Sequence, residues 1–377
     1  MSALYIHIPF CKTRCNYCDF YKQTQLIDPS LYFNALEREM EFRRDFFAPG
    51  EPLRTVYFGG GTPSVYPPSF LQSVLDKAAT LWPLDAVTEI TAEANPDDVN
   101  DATIRALKAT GINRISFGIQ SFIDRDLRFM GRRHTAAQAV DAVRRVQDAG
   151  IGNVSIDLIF GIPGMTLREW EQNVLRALLL NVQHISVYCL TIAEGTVFGR
   201  MAAEGRLTPA TDEACEEQYL LCHRILTDGG FEHYEISNYA LHNRRSRHNS
   251  AYWDGTPYLG LGPSAHSYDG QRRIFAASDL KGYLAGAGTG TIYSVETLSP
   301  RDRYNEYIMT GLRTSDGIRR EVLTSRFGAQ ALIYFEYMAG KLLQSGALVR
   351  EGDTYRIPPE RFMVSNDIIS ELFYVDE

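Results

Sequence analysis

Three cysteines within eight positions, Cys11, Cys15 and Cys18 of CKTRCNYC, are the residues best equipped for chemistry. Thiolates at this spacing can hold a metal, but position 20, where a fourth sulfur might follow, is Phe20. A structural zinc closes with four ligands, and His7 of YIHIP could complete a Cys₃His set. A cubane iron–sulfur cluster held by only three thiolates keeps one iron open for another ligand. From spacing alone both readings stand. The remaining thiols are scattered; Cys215 and Cys222 lie seven apart on an expected helix and read as core.

The elements that must position these residues follow from periodicity. From residue 3 to about 235, short β-rich runs alternate with helical patterns, which predicts parallel βα units. The expected strands are ALYIHI, TVYF (55–58), EITAEA (89–94), NRISFGI (113–119), VSIDLIF (154–160), HISVYCL (184–190) and FEHYEI (231–236). Polar and glycine-rich signals fall just beyond them: GGGTP, Asn95, Gln120 and GIPG. Functional groups gather at the C-terminal strand ends of parallel barrels, so these should converge. Six or seven strands are too few for a closed eight-stranded barrel, and an incomplete, open one is expected.

Residues 237–300, rich in Gly, Pro, Tyr and Asn, read as a loop-heavy bridge. Beyond Pro300, two helical stretches precede ALVREGDTYRIP, which reads as a hairpin around Gly352-Asp353. Helices followed by a hairpin suggest a winged-helix-like module. That shape often binds DNA, but residues 301–377 carry 10 Lys and Arg against 12 Asp and Glu, so no nucleic-acid partner is expected. The whole chain, at net charge -8, offers no general attraction to polyanions. Its start, MSALYIHIPF, lacks a secretory pattern, and LLLNVQHISVYCL is interrupted by Asn181, Gln183 and His184. A reducing cytoplasm is therefore expected, where clustered cysteines serve as ligands before disulfides.

With GGGTP, TAEANP, SFGIQSF and DLIFGIPG following it, CKTRCNYC resembles the radical S-adenosylmethionine superfamily over essentially the whole chain. The resemblance implies a [4Fe-4S] cluster on Cys11, Cys15 and Cys18, with S-adenosylmethionine chelating the open iron and an electron donor feeding the cluster. The fold implied is α/β: an incomplete (β/α)6-type radical SAM barrel over 1–236, a bridge over 237–300, and a small C-terminal α+β winged-helix-like domain over 301–377. Gly60 and Gly61 would let backbone approach the methionine part, and Glu93 resembles the acid that accepts hydrogen bonds from ribose hydroxyls. Tyr5, Tyr17, Thr62, Gln120, Arg132 and Asp157 match S-adenosylmethionine-binding positions of the oxygen-independent coproporphyrinogen III oxidase family.

Within that branch the true oxidases carry CxxxCxxCxC and a long segment before it. Here Cys11 lies near the N-terminus and position 20 is Phe, which resembles instead the branch's haem-chaperone group. HNSAYW (248–253) matches that group's HNxxYW motif, so His248 is implied as a haem ligand, with Tyr252 and Trp253 against the porphyrin and Arg244, Arg245 and Arg247 near its propionates. The expected activity is delivery of haem to acceptor proteins, by a cytoplasmic protein that meets them at times at the inner face of a membrane. Oxidative decarboxylation of coproporphyrinogen III is the alternative.

Overall fold

The computed structural model describes residues 2–375. Six parallel strands run in chain order through the centre of a twelve-stranded sheet: β1 Ser2–Ile8, β2 Leu53–Gly60, β3 Glu89–Ala94, β4 Arg114–Gln120, β5 Val154–Phe160 and β6 His184–Cys189. Each is mostly buried because helices cover one face and the barrel interior the other. The helices Pro29–Phe42, Pro68–Leu81, Asp101–Ala109, Ala136–Asp148 and Leu167–Leu179 make the crossovers. Their starts are written locally: Thr135 with Gln138, and Thr166 with Glu169, form capping boxes that satisfy otherwise free N–H groups. On the helix Asp212–Asp228, Cys215 and Cys222 are buried as expected.

The last expected barrel strand forms as β7 Glu232–Glu235, but it does not join β6. β8 Asn238–Ala240 folds back from β7 after two residues and inserts between them, antiparallel to both. So short a link permits only a hairpin.

Residues 237–300 differ from the expected bridge. They contain β8, the helix Arg247–Asp254, β9 Tyr258–Leu261, β10 His266–Tyr268, β11 Arg272–Ala276, the helix Leu280–Gly286 and β12 Tyr293–Thr297. β9 lies parallel to β1, adding a seventh parallel strand, and β10 to β12 continue the sheet antiparallel. At least one glycine that suggested a loop is a packing requirement: a Cβ on Gly260 would collide with the His266 carbonyl. The helix Arg247–Asp254 seals the end of the barrel where the strands begin. Glu89, at the start of β3, accepts from the backbone N–H groups of Arg247 and His248 at 3.1 and 3.0 Å and so caps that helix.

The C-terminal module matches expectation. The helices Pro300–Leu312, Arg320–Phe327 and Ala329–Gln344 pack with a small sheet of β13 Ile318–Arg319, β14 Val349–Glu351 and β15 Thr354–Arg356 in the order β13-β15-β14. Among the described residues no helix is long and apolar enough to cross a membrane.

Candidate functional site

The three cysteines lie on the loop leaving β1, which is tied at its base and its tip. Cys11 N–H donates to Gln23 O at 2.9 Å and Gln23 N–H to Pro9 O at 2.6 Å, while Asn16 donates from N and Nδ2 to Met130 O and Phe129 O at 3.0 and 2.7 Å. Cys11, Cys15 and Cys18 are free thiols and all line one cavity of about 490 Å3 at the C-terminal strand ends. Thr62 Oγ1 donates to Cys11 Sγ at 3.4 Å, and Arg132 Nη1 to Cys15 Sγ at 3.3 Å. Burial pushes the Cys11 thiol up, with the Thr62 hydrogen bond opposing. Phe20, 68% exposed, stands at the cavity edge.

His7 does not reach this cavity. Its Nδ1 meets Tyr5 OH at 3.0 Å and its Nε2 meets the Tyr21 carbonyl at 3.3 Å, so Nε2 carries the proton and both nitrogens are engaged. Burial lowers its pKa to about 4, which keeps the ring neutral. The fourth ligand of a closed zinc site is thus committed elsewhere.

Gly60 and Gly61 are dictated by β1 and the chain leaving it. A Cβ on Gly61 would sit 2.7 Å from Ile8 O and from Phe10 N, and one on Gly60, at φ +103°, would enter the His7 ring. The bare backbone lets Gly60 N–H donate to Glu93 Oε2 at 3.1 Å, and Tyr57 OH donates to Oε1 at 2.8 Å. Glu93 therefore faces the cavity held from below by two donors. Opposite, Arg132 Nη2 donates to Asn95 Oδ1 and to Gly118 O, both at 2.5 Å. Asn95 Nδ2 continues the chain to Thr62 Oγ1 at 3.2 Å, which links the arginine to the Cys11 sulfur. Gln120 occupies a left-handed conformation, φ 72°, at an irregularity ending β4. Such strain in a non-glycine residue at a cavity wall is typical of functional sites.

Burial pushes the Glu93 carboxyl up to about 7, the Tyr57 donor opposing and the Asp157 charge adding. Asp157 is pushed up to about 6 by burial, against the Ser186 hydroxyl and the Arg114 and Arg132 charges. Both bind a proton more tightly folded than unfolded, so their stabilisation is fully present below the unfolded pKa and is lost as pH rises through the folded value. Cluster-free protein should lose stability between about pH 4.5 and about 7. Glu93→Gln should give a shallower fall of Tm over that window; an unchanged slope would contradict the burial of this carboxyl.

Of the residues picked out from the sequence, Tyr17, Gly60, Gly61, Thr62, Glu93, Gln120, Arg132 and Asp157 line the cavity with the cysteines. Tyr5 and His248 do not. Tyr5 lies one layer deeper, its ring 6.1 Å from Tyr57 and 6.2 Å from His248. His248 is 1% exposed, with Nδ1 on Thr55 Oγ1 at 2.9 Å, Nε2 on Tyr252 OH at 3.0 Å and its ring stacked 4.9 Å from Tyr57. No nitrogen of this imidazole is free for iron. Arg245 pairs with Glu232 and with Asp316 at 2.8 Å, and Arg247 donates to Thr88 Oγ1 at 2.6 Å. His248→Ala should therefore cost roughly 3 kcal/mol of stability through lost hydrogen bonds and packing. Haem affinity of the folded variant should stay unchanged; lost haem absorption at unchanged Tm would restore the ligand role.

Three contributors were missed. Tyr57 is identifiable only as the inward neighbour of Thr55 and Gly59 on an alternating strand. Lys22 lines the cavity beside Cys18, donating to its carbonyl at 2.7 Å. His134 reaches the wall from a loop, with Nε2 3.1 Å from Ile119 O, and carried no sequence signal.

Comparison with known proteins accords with this architecture. Residues 5–177 match the Radical SAM superfamily model and residues 298–363 the HemN C-terminal domain. The heme chaperone HemW of Lactococcus lactis is 32% identical, over 100% of this chain and 98% of its own length. HemW of Bacillus subtilis is 33% identical over 98% of each chain. The zebrafish (Danio rerio) mitochondrial radical S-adenosyl methionine domain-containing protein 1 is 32% identical over 85% of this chain and 74% of its own. Among solved structures, coproporphyrinogen III oxidase HemN from Escherichia coli superposes with a TM-score of 0.84 over 99% of this chain and 90% of that one, at 21% identity, a likeness of fold. The chain belongs to the HemW family, within the radical S-adenosylmethionine superfamily.

Proposed function

We propose that this protein carries haem to acceptor proteins and holds a [4Fe-4S] cluster and S-adenosylmethionine in the cavity at the strand ends. The observation that carries the reading is identity of 32–33% to haem chaperones along the full chain. The donor set fits a cluster better than closed zinc: the three loop thiols share one cavity, the fourth cysteine on its wall, Cys189, is hydrogen-bonded to Cys215, and His7 is bonded elsewhere.

In this reading Cys11, Cys15 and Cys18 would hold the cluster, leaving one iron for S-adenosylmethionine. When bound, the cluster would supply the electron that cleaves the sulfonium, drawn from an external reductant. The chain's own groups set the surroundings. Arg132 offsets negative charge at Cys15 and fixes Asn95, and Thr62 does the same for Cys11 by hydrogen bonding. Glu93, held by Tyr57 and Gly60, is placed to accept from ligand hydroxyls; Gln120, Asp157 and Tyr17 complete the walls. Among the described residues, 2–236 form the barrel, 237–300 seal and extend it, and 301–375 form the second module. Acceptors at the inner face of a cytoplasmic membrane are the partners proposed.

The reading is tested by loading anaerobically reconstituted protein with haem and mixing it with an apo haem protein, following absorption. Stoichiometric binding and transfer faster than from free haem are expected. Absence of haem binding would overturn the reading.

A further inference from the structure

With His248 buried, the aromatic end of HNSAYW leads elsewhere. Tyr252 and Trp253 line a second cavity, about 60 Å3, at the seam between the large sheet and the C-terminal module. Three guanidiniums reach it: Arg273 from β11, Arg303 from the helix Pro300–Leu312 and Arg326 from the helix Arg320–Phe327. Arg273 is paired with Glu306 at 2.6 Å. Arg326 lies 5.4 Å from the Tyr307 ring centroid, and neither it nor Arg303 has a carboxylate partner among the described residues. Against the three arginines the walls offer two acids, Asp254 and Glu306, so one positive charge is left over. Guanidiniums that outnumber the acids beside them are arranged for a further carboxylate, which they can grip in a planar fork.

We propose that this seam receives a carboxylate of the bound ligand, paired by Arg303 and Arg326 beside the Trp253 ring. The assignment rests on the haem reading above, since haem presents propionate carboxylates on a planar aromatic body. A space of this size admits the carboxylate and leaves the macrocycle outside. His248 stays behind this seam: it bonds Tyr252 OH, whose ring packs edge-on against Tyr258 at 4.7 Å, and it contributes packing and no ligand contact. Because Arg303 and Arg326 come from the C-terminal module and the aromatics from the sheet side, a carboxylate held there bridges the two parts.

The test titrates full-length protein, wild type and the double variant Arg303→Ala, Arg326→Ala, with haem and with haem dimethyl ester. Both arginines are exposed, so the variant should fold, which circular dichroism checks. Haem should bind the double variant roughly tenfold or more weakly, whereas the ester should bind both proteins alike. Equal haem affinity in both proteins, or an equal loss for haem and ester, would overturn the carboxylate site while leaving the haem reading intact. Wild-type protein that binds neither overturns the functional reading and this assignment with it.

Discussion

Cys15→Ser protein, reconstituted anaerobically with iron and sulfide, is expected to hold neither above background. Serine is a poor ligand for this iron, and a three-thiolate site reduced to two has no spare sulfur on its own loop; Cys189, on the cavity wall, is hydrogen-bonded to Cys215. Fold should be retained, because Cys15 is only half-buried and its loop is held by Asn16, whose bonds to Met130 and Phe129 do not involve the thiol. The far-ultraviolet circular dichroism should match wild type while the iron content collapses. Wild-type iron content in the variant would refute the triad, and zinc in place of iron in the parent protein would revive the four-ligand alternative.

Gly61→Ala should act in the opposite way, on the fold first and the site second. The new methyl would meet backbone atoms, Ile8 O and Phe10 N at 2.7 Å, which cannot rotate aside as a side chain can. Relief requires moving the chain after β1, and with it the base of the cysteine loop. An overpacked core site of this kind costs roughly 3 kcal/mol. The cluster-free variant should therefore melt lower, and cluster incorporation should fall with it. If the apo variant were as stable as wild type and lost only S-adenosylmethionine binding, the glycine would serve ligand approach and not the packing of β1 on β2.

These two residues also show how far the sequence carries the account. The cysteine spacing, the barrel strands and the crossover helices are local signals: β-rich runs, helical periodicity, and thiols on one short loop. They could be read because each is fixed by near neighbours in the chain. Gly60 and Gly61 were legible as glycines but not as contacts of His7, Ile8 and Phe10, some fifty residues earlier. The same limit hid β9, since YLGL looks like a loop until Gly260 is seen under His266. It also governed His248. An imidazole next to arginines and aromatics resembles a ligand site in one dimension, yet Glu89 caps its helix and Thr55 and Tyr252 take its nitrogens. Burial is a property of the assembled barrel, and no spacing within HNSAYW announces it. Gln120's left-handed backbone is invisible for the same reason.

Phe20 remains the position that turns the account from making haem towards carrying it. Exposed at the cavity edge, it offers no ligand where the oxidase pattern places a fourth sulfur. The most direct measurement incubates the anaerobically reconstituted protein with coproporphyrinogen III, S-adenosylmethionine and a one-electron reductant, and follows protoporphyrinogen formation alongside haem binding by the same preparation. The account predicts bound haem and no decarboxylation; clear turnover of coproporphyrinogen III would contradict it.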